Sequence, residues 1–582
     1  MRPKGSFILV MLLAGGLGAC GTTQKVTESV KNLFSDNTPE KLETRRLSIF
    51  EYEDKLLGAW AGKMIGVSVG APYEFRFQGE VMEEPMRLWQ PEFVENALQQ
   101  DDLYVQMTFL RALEEKGLSI SPAEAADYFS RTEYPLAHAN DVARNNIRAG
   151  ILPPDSGHPR YNPHANDIDF QIDADLFGIV CPGMPFTAIR LAEVFGPMMS
   201  YGDGLYGGLF VAGMYSAAYF ENDRAAVIEQ GLKGIPAESQ YAQLIRDVLE
   251  FYRKDSADWR GCWQMLEDKW AKTDLCPDGY NKPFNIDAKL NGGYVALALL
   301  YGEADFPKTL EIATRCGQDN DCNTSTAAGI LGAMQGYSRI PRPFKVGIPV
   351  ISEKPFLNTK YTFTTLIQTC KKLTEIIIRR NGGDVQRLGD REYFSVPVQS
   401  PPPPPSLEQF TENMMEDYKP GWIQLEKTRR EKFQAALQQD FAKWSKGWTL
   451  SHCGTDMPPG LRETYAGRFD VFVTHPQDQN TPCALSWKGT LPPGNPQLRV
   501  TAAASDRDPG ADWLLRMYVN DQKLDEKTVG LKDGAAEWHE YRFDLTPYAG
   551  QEVTIRLENA ANGWNFEAAY WGKIEIAPGT NG

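Results

Sequence analysis

From about residue 50 to 345 the apolar positions recur at three- and four-residue spacing, as in Leu56/Leu57, Val105/Phe109/Leu113, Phe210/Met214/Ala217 and Leu297/Leu300/Tyr301. That period places side chains on one face of a helix and predicts a helical body. Glycine- and proline-rich breaks, such as Gly150-Ile151-Leu152-Pro153-Pro154, separate the helices and leave long loops. A further helix is expected over 364–378. After Lys446 the period drops to two. Short alternating runs at 468–473, 498–501, 514–519, 541–545 and 553–557, separated by turn residues, predict a β-sandwich. Between the two textures lies Ser400-Pro401-Pro402-Pro403-Pro404-Pro405-Ser406, expected to be an extended spacer. A helix follows it, with Phe433, Leu437, Phe441 and Trp444 on one face.

The start of the chain adds an address. Met1-Arg2-Pro3-Lys4 is basic, and Phe7 to Leu13 is an apolar run too short to span a bilayer. Leu17-Gly18-Ala19-Cys20 resembles the lipobox of bacterial lipoproteins, which implies cleavage before Cys20 and lipid attachment to it. The expected layout is a signal peptide at 1–19, a polar tether at 20–47, a helical domain at 48–390, a proline-rich linker and helix at 391–445, and a β-sandwich at 446–582. The expected location is the bacterial cell envelope, on a lipid anchor. A formal net charge of -16 over 582 residues argues against nucleic acid as a partner, because phosphate binding needs a basic surface. Eight cysteines remain besides Cys20. Cys453 with Cys483, and Cys262 with Cys276, are candidate disulfides, although sequence does not fix connectivity. No CxxC pair occurs, and His138, His158 and His164 lack ligand spacing, so they read as surface residues of a loop.

Three segments carry chemistry. Gly58, Gly62, Gly66 and Gly70 form a period-four stripe, interrupted by charges such as Lys63, which reads as a buried helix approached closely by its neighbours. It ends at Gly70-Ala71-Pro72-Tyr73-Glu74, where proline stops the helix. Asp101-Asp102 opens an amphipathic helix, and carboxylates there also serve as caps. Gly317-Gln318-Asp319-Asn320-Asp321-Cys322 precedes a helix of small residues and offers two hard oxygen ligands. An EF-hand is excluded, since neither its central Gly nor its closing Glu is in place.

In order and rough separation these segments resemble the motifs of the ADP-ribosylglycohydrolase family, which includes the dinitrogenase-reductase-activating glycohydrolases. Gly58–Glu74 resembles the family's opening G-x-x-x-G-D-a-x-G-A-P-x-E, Asp101-Asp102 its T-D-D-T, and Gly317–Cys322 its closing G-G-D-x-D-T. Ser200-Tyr201-Gly202-Asp203 stands where the family has T-H-G-D. The resemblance covers roughly 50–345 and implies an all-α orthogonal bundle with two Mg²⁺ ions, Mn²⁺ or Ca²⁺ being alternatives. The implied metal ligands are Asp101, Asp102, Asp319 and Asp321, and the implied catalytic residues are Asp101, Asp102 and Glu74. Such ions clamp a ribose diol while a glycosidic bond breaks through an oxocarbenium-like state.

Departures cluster around the acids. Gln100 and Leu103 replace the threonines of T-D-D-T, Gln318 replaces a glycine, Cys322 a threonine, Tyr201 a histidine, and Val67 stands where many members have Asp. Phe177-Gly178 replaces M-R. These changes bear on the identity of the substrate more than on the metal site. Asp167, Asp169, Asp173 and Asp175 give an acidic stretch, followed by the turn Cys181-Pro182-Gly183. Asp169, Asp175, Gly183 and Asp203 are therefore candidate substrate-binding residues.

The expected function is metal-dependent hydrolysis of a glycosidic bond in ADP-ribose conjugates or a related ribosyl or glycosyl compound. The C-terminal segment, with Trp487, Trp513, Trp538, Trp564 and Trp571, resembles carbohydrate-binding jelly-roll modules, and carbohydrate is a candidate partner. The alternative is a noncatalytic surface lipoprotein that binds glycans through this sandwich.

Overall fold

The computed structural model describes residues 43–578 apart from 278, 280, 281, 283, 507–509, 533 and 565. The signal segment, Cys20 and most of the tether lie outside the described residues. The chain divides into two compact units, Met1–Trp422 and Ile423–Gly582.

The first unit is helical around one large apolar core. Its central pair is α1, Ile49–Gly70, and α8, Asn320–Gln335, with α2 (Asp101–Lys116), α3 (His138–Arg148), α4 (Asp169–Asp173), α5 (Asp175–Ile179), α6 (Asp203–Ala218) and α7 (Ala288–Tyr301) arranged about it. The glycine stripe explains the pairing. A Cβ on Gly58, Gly62 or Gly66 would stand 2.3 Å from the carbonyl oxygen of Gly332, Ala328 or Thr324, and one on Gly70 would stand 2.4 Å from Asp321 Cα. Backbones therefore meet directly along this seam, and any larger residue would push the helices apart. The seam sets the end of α1, and hence Glu74, against the start of α8.

The all-helical expectation needs one correction. Strand β1, Thr44–Ser48, pairs antiparallel with β3, Arg391–Pro397, which also pairs with β2, Asp384–Leu388. This three-stranded sheet takes residues from both the expected tether and the expected linker. Helix α9, Phe363–Arg380, leads into it, close to the range predicted.

The proline-rich segment belongs to the first unit rather than standing between two bodies. Past the prolines, Glu408 N donates to the Tyr206 hydroxyl at 2.6 Å, and that hydroxyl lies 3.2 Å from the Ser406 carbonyl. The unit boundary falls later, inside helix α10, Glu412–Trp444.

In the second unit, Leu437 and Phe441 of α10 join the core of two five-stranded antiparallel sheets. One sheet has the order β10-β9-β12-β7-β4, with β4 Trp448–Ser451, β7 Cys483–Thr490, β9 Asp512–Val519, β10 Gln522–Gly530 and β12 Glu552–Ala560. The other has the order β11-β8-β13-β6-β5, with β5 Gly460–Tyr465, β6 Arg468–Thr474, β8 Pro496–Ala504, β11 His539–Asp544 and β13 Ala569–Pro578. Alternate residues of β9 (Trp513, Leu515, Met517, Val519) are buried, as a period-two strand with one inward face requires. Trp513 and Trp571 are core, whereas Trp564 is 42% exposed. The eight cysteines described are free thiols. No helix among the described residues is long and apolar enough to cross a membrane.

Candidate metal and active site

Glu74 follows the short 3-10 turn Ala71–Tyr73 at the end of α1. Two backbone links fix it there: Phe75 N donates to Gln318 O at 3.0 Å, and Gln318 N donates to Phe77 O at 2.7 Å. Phe75 and Gln318 both adopt positive φ, 58° and 53°, so the two loops are held against each other in a strained conformation. Gln318 has a second role. Its side-chain oxygen accepts from Asn291 Nδ2 of α7 at 2.9 Å, while Asn291 Oδ1 accepts from Asn323 Nδ2 at 2.7 Å.

Asp319 is the residue before α8 and Asp321 lies in its first turn. Ligand atoms of Glu74, Asp319 and Asp321 lie within 4.8 Å of one another, and so do those of Asp102, Asp321 and Cys322. Asp101 and Asp102 open α2. Asp319 and Asp321 are 3% and 1% exposed, and an oxygen of each, Oδ1, has no hydrogen-bond partner among the described residues. Burial first, and then the neighbouring carboxylates, push these groups up: Asp321 to about 7, Asp101 to about 6, and Asp319 and Glu74 well above the carboxylate range. Buried acidic oxygens without donors are what a hard cation would satisfy, and the donor set fits Mg²⁺, Mn²⁺ or Ca²⁺.

Asp102 stands differently. Its Oδ1 accepts from Lys63 Nζ at 3.2 Å and its Oδ2 from the Cys322 thiol at 3.3 Å. Lys63 is fully buried and also meets Asp175 and the Ile172 carbonyl, the latter at 3.2 Å. Burial acts to lower its pKa, but Asp175 and Asp102 outweigh burial and hold it above the ordinary lysine value. Cys322, burial having raised its pKa far up, is a protonated thiol that donates to Asp102. Gln106 completes the frame, donating to Ile172 O at 2.9 Å and accepting from Leu176 N at 2.8 Å.

A second polar group adjoins the first. Asp167 Oδ2 lies 2.7 Å from His164 Nδ1 and 3.5 Å from His138 Nδ1. The two histidines expected on a loop surface thus share one buried carboxylate, and His138 is close enough to Asp101 to oppose its upward shift. Asp169 Oδ1 accepts from Asn140 N at 2.7 Å, and Asp173 Oδ2 accepts from Asn140 Nδ2 at 2.9 Å. The Phe75 ring stacks edge-on against Phe284 at 5.2 Å, with His138 6.3 Å away, forming an aromatic rim.

The structure brings together Glu74, Asp101, Asp102, Asp319, Asp321 and Asp175, with Asp169 alongside, but not Gly183 or Asp203. Gly183 N donates to Ser216 O at 2.8 Å, and its carbonyl accepts from Arg45 at 3.3 Å. Ser216 is at the end of α6, close to Tyr219, whose carbonyl accepts from Lys55. Lys55 lies in the second turn of α1 and Glu74 beyond its far end, so at helical rise they are more than about 20 Å apart. Gly183 serves a turn there, which is what its φ of 67° calls for. Asp203 accepts from Tyr241 N at 3.1 Å and sits in the field of Lys289, so it belongs to a structural network of its own. Cys262 lies beside Tyr301 and Cys316, and Cys276 beside Asp274, Asp287 and Asp167, so these two thiols are not a pair. Cys453 and Cys483 are neighbours in the sandwich. Lys63 and the histidine pair are what sequence reasoning missed; a lysine inside an otherwise bare glycine stripe was the available signal.

Carboxylates from three motif segments are thus gathered at one seam of a helical domain. The family model for ADP-ribosylglycohydrolase matches residues 50–373, more than half the chain, and the chain belongs to that family. A solved structure described as an ADP-ribosylglycohydrolase-related protein complex is 17% identical, covering 57% of this chain and 100% of its own at a TM-score of 0.36. The K3 cleaved adhesin domain of Lys-gingipain from Porphyromonas gingivalis W83 is 17% identical over 24% of this chain and 97% of its own, with a TM-score of 0.19. The family 35 carbohydrate-binding module of Paenibacillus barcinonensis is 14% identical over 23% of this chain and 94% of its own, with a TM-score of 0.17. No curated protein gives a significant match.

Proposed function

We propose that the protein is a divalent-cation-dependent hydrolase that cleaves the glycosidic bond of an ADP-ribose conjugate or a related ribosyl or glycosyl compound. The observation that carries this reading is the convergence of Glu74, Asp319 and Asp321, with buried oxygens lacking donors, inside the domain of a glycohydrolase family. A bound divalent cation would supply Lewis-acid stabilisation and orientation of substrate oxygens. Glu74, Asp319 and Asp321 would hold it.

The remaining steps fall to the chain's own side chains. Asp101, pushed up to about 6 chiefly by burial, is suited to take a proton from water at neutral pH. The negative field of ionised Asp101 stabilises positive charge developing at the anomeric carbon. Asp102 holds the frame through Lys63 and Cys322. Phe75, Phe284 and His138 screen the site from water.

Hydrolysis of ADP-ribosyl protein, nucleosides and aryl glycosides, each with Mg²⁺, Mn²⁺ or EDTA, tests the reading. At least one substrate is expected to turn over with cation and stop with EDTA; full turnover in EDTA would refute it. We further propose that Cys20 carries a lipid that anchors the protein in the bacterial cell envelope, on the strength of Leu17-Gly18-Ala19-Cys20. Cys20→Ala is expected to move the protein from the membrane fraction to the soluble one.

A further inference from the structure

We propose that Lys63 takes the place of a second metal ion, so that the acid cluster binds one divalent cation per chain, on Glu74, Asp319 and Asp321. The inference rests on the cation-dependent reading above and departs from the two ions that the family resemblance implies.

Two ions bridged by shared carboxylates sit roughly 3.5–4 Å apart and draw on both oxygens of the ligands between them. Asp102 is the fully buried acid of α2, and each of its oxygens already accepts from a side chain. Oδ1 holds the Lys63 ammonium at 3.2 Å and Oδ2 the Cys322 thiol at 3.3 Å. The group of Asp102, Asp321 and Cys322 has the spacing of a metal site. It is nevertheless filled by an internal cation and a proton, and its third member is a soft sulfur that a hard ion ligates poorly. The group of Glu74, Asp319 and Asp321 contrasts with it: unpartnered Asp319 Oδ1 and Asp321 Oδ1 remain there, both buried.

The ammonium is also fixed. Lys63 lies in α1 between Gly62 and Gly66, whose backbones touch α8. Its three partners, Asp102, Asp175 and the Ile172 carbonyl, use all three of its donors. A buried ammonium so placed neutralises one charge of Asp102 and Asp175 permanently, as a metal would only when bound. Lys63 is thus a positioning residue that keeps Asp102 in place without contacting substrate.

The test titrates Mn²⁺ into full-length protein stripped with EDTA, and reads stoichiometry by native mass spectrometry and spin coupling by electron paramagnetic resonance. Wild type is expected to bind one Mn²⁺ with an uncoupled signal. Lys63→Met is expected to raise the count from one to two and to give a coupled signal, because Asp102 Oδ1 is released. Two coupled ions on wild type would overturn the proposal and leave the cation-dependent reading standing, whereas no bound ion would overturn both. A Lys63→Met protein still at one ion overturns the substitution of ammonium for metal. So does one that stays unfolded by circular dichroism at saturating Mn²⁺, since the ion then fails to replace the lost charge.

Discussion

Asp287 and Asp203 are as inaccessible as Asp319 and Asp321, at 0% and 9% exposure against 3% and 1%, yet the two groups balance their charge by different means. Asp287 Oδ2 meets Lys289 Nζ at 2.7 Å, and its Oδ1 caps α7 by accepting from Leu290 N at 2.9 Å. Asp203 lies in the field of the same lysine and accepts from Tyr241 N. Asp287 thus takes both its cation and its donor from the chain, although Asp274 Oδ2 beside it has no hydrogen-bond partner among the described residues. At Asp319 and Asp321 the neighbours are more carboxylates, and oxygens are left without donors. Burying acids this way costs several kcal/mol per ion unless a cation arrives from solution. The difference separates an acid that builds the fold from an acid that waits for a ligand, although both types are buried, both lie at helix starts and both have the same side chain.

Paired substitutions sharpen that contrast. Asp319→Ala is expected to lower divalent-cation affinity at least about 100-fold, beyond what loss of an outer partner costs, and to abolish hydrolysis. Without cation it should leave the melting temperature unchanged or raise it, since it removes a buried acid with an unpartnered oxygen. Lys289→Met is expected to behave in the reverse sense. Leaving Asp287 buried without its cation should cost about 3–5 kcal/mol, and added Mn²⁺ should not recover it. Thermal melts of both variants with and without Mn²⁺ check this. A Lys289→Met protein rescued by Mn²⁺ would erase the distinction between the two networks.

How much of this was legible from sequence follows from how local each feature is. The Gly58/Gly62/Gly66/Gly70 seam was legible because backbone contact leaves a bare face with a fixed period along one segment. Asp101-Asp102 and Asp319-Asn320-Asp321 were legible because each supplies two acids within a single helical turn. Lys63 was read as a break in the stripe. Its partner Asp102 lies 39 residues away, and nothing near either residue announces the pairing. His138 and His164 looked like loop residues because the carboxylate that joins them, Asp167, is reached from α3 only through the fold. The small sheet escaped for the same reason: β1 and β3 come from opposite ends of the unit, and five residues of strand alternate too briefly to read. The sandwich strands, with longer alternation and turn residues at regular spacing, fell close to the ranges expected.

The dependence of stability on pH gives the smallest expected effect and probes the open network directly. Asp321 and Asp169 are both pushed up to about 7, chiefly by burial, and Asp101 to about 6. Between the unfolded value near 3.9 and these folded values, the folded chain holds more protons than the unfolded one. Stability must therefore fall as pH rises through that window. His164 acts in the same direction. Burial alone would lower its pKa, but Asp167 outweighs burial and raises it, so the stability of the charged pair is present below the unfolded histidine value and lost above the folded one. Asp167 itself is held low against the pull of burial, by His164 foremost, so its contribution changes only at more acid pH. Cation-stripped protein is thus expected to lose on the order of 2–3 kcal/mol between pH 5 and 7 for a single carboxyl that titrates this late. Saturating Mn²⁺ should flatten the share due to Asp321 and leave that of Asp169 and His164, because only the former lies among the oxygens that would hold the ion. Melting curves at pH 5, 6, 7 and 8, with EDTA and with Mn²⁺, separate the two shares. A melting temperature that climbs to pH 8 in EDTA would mean that these acids already have cations of their own.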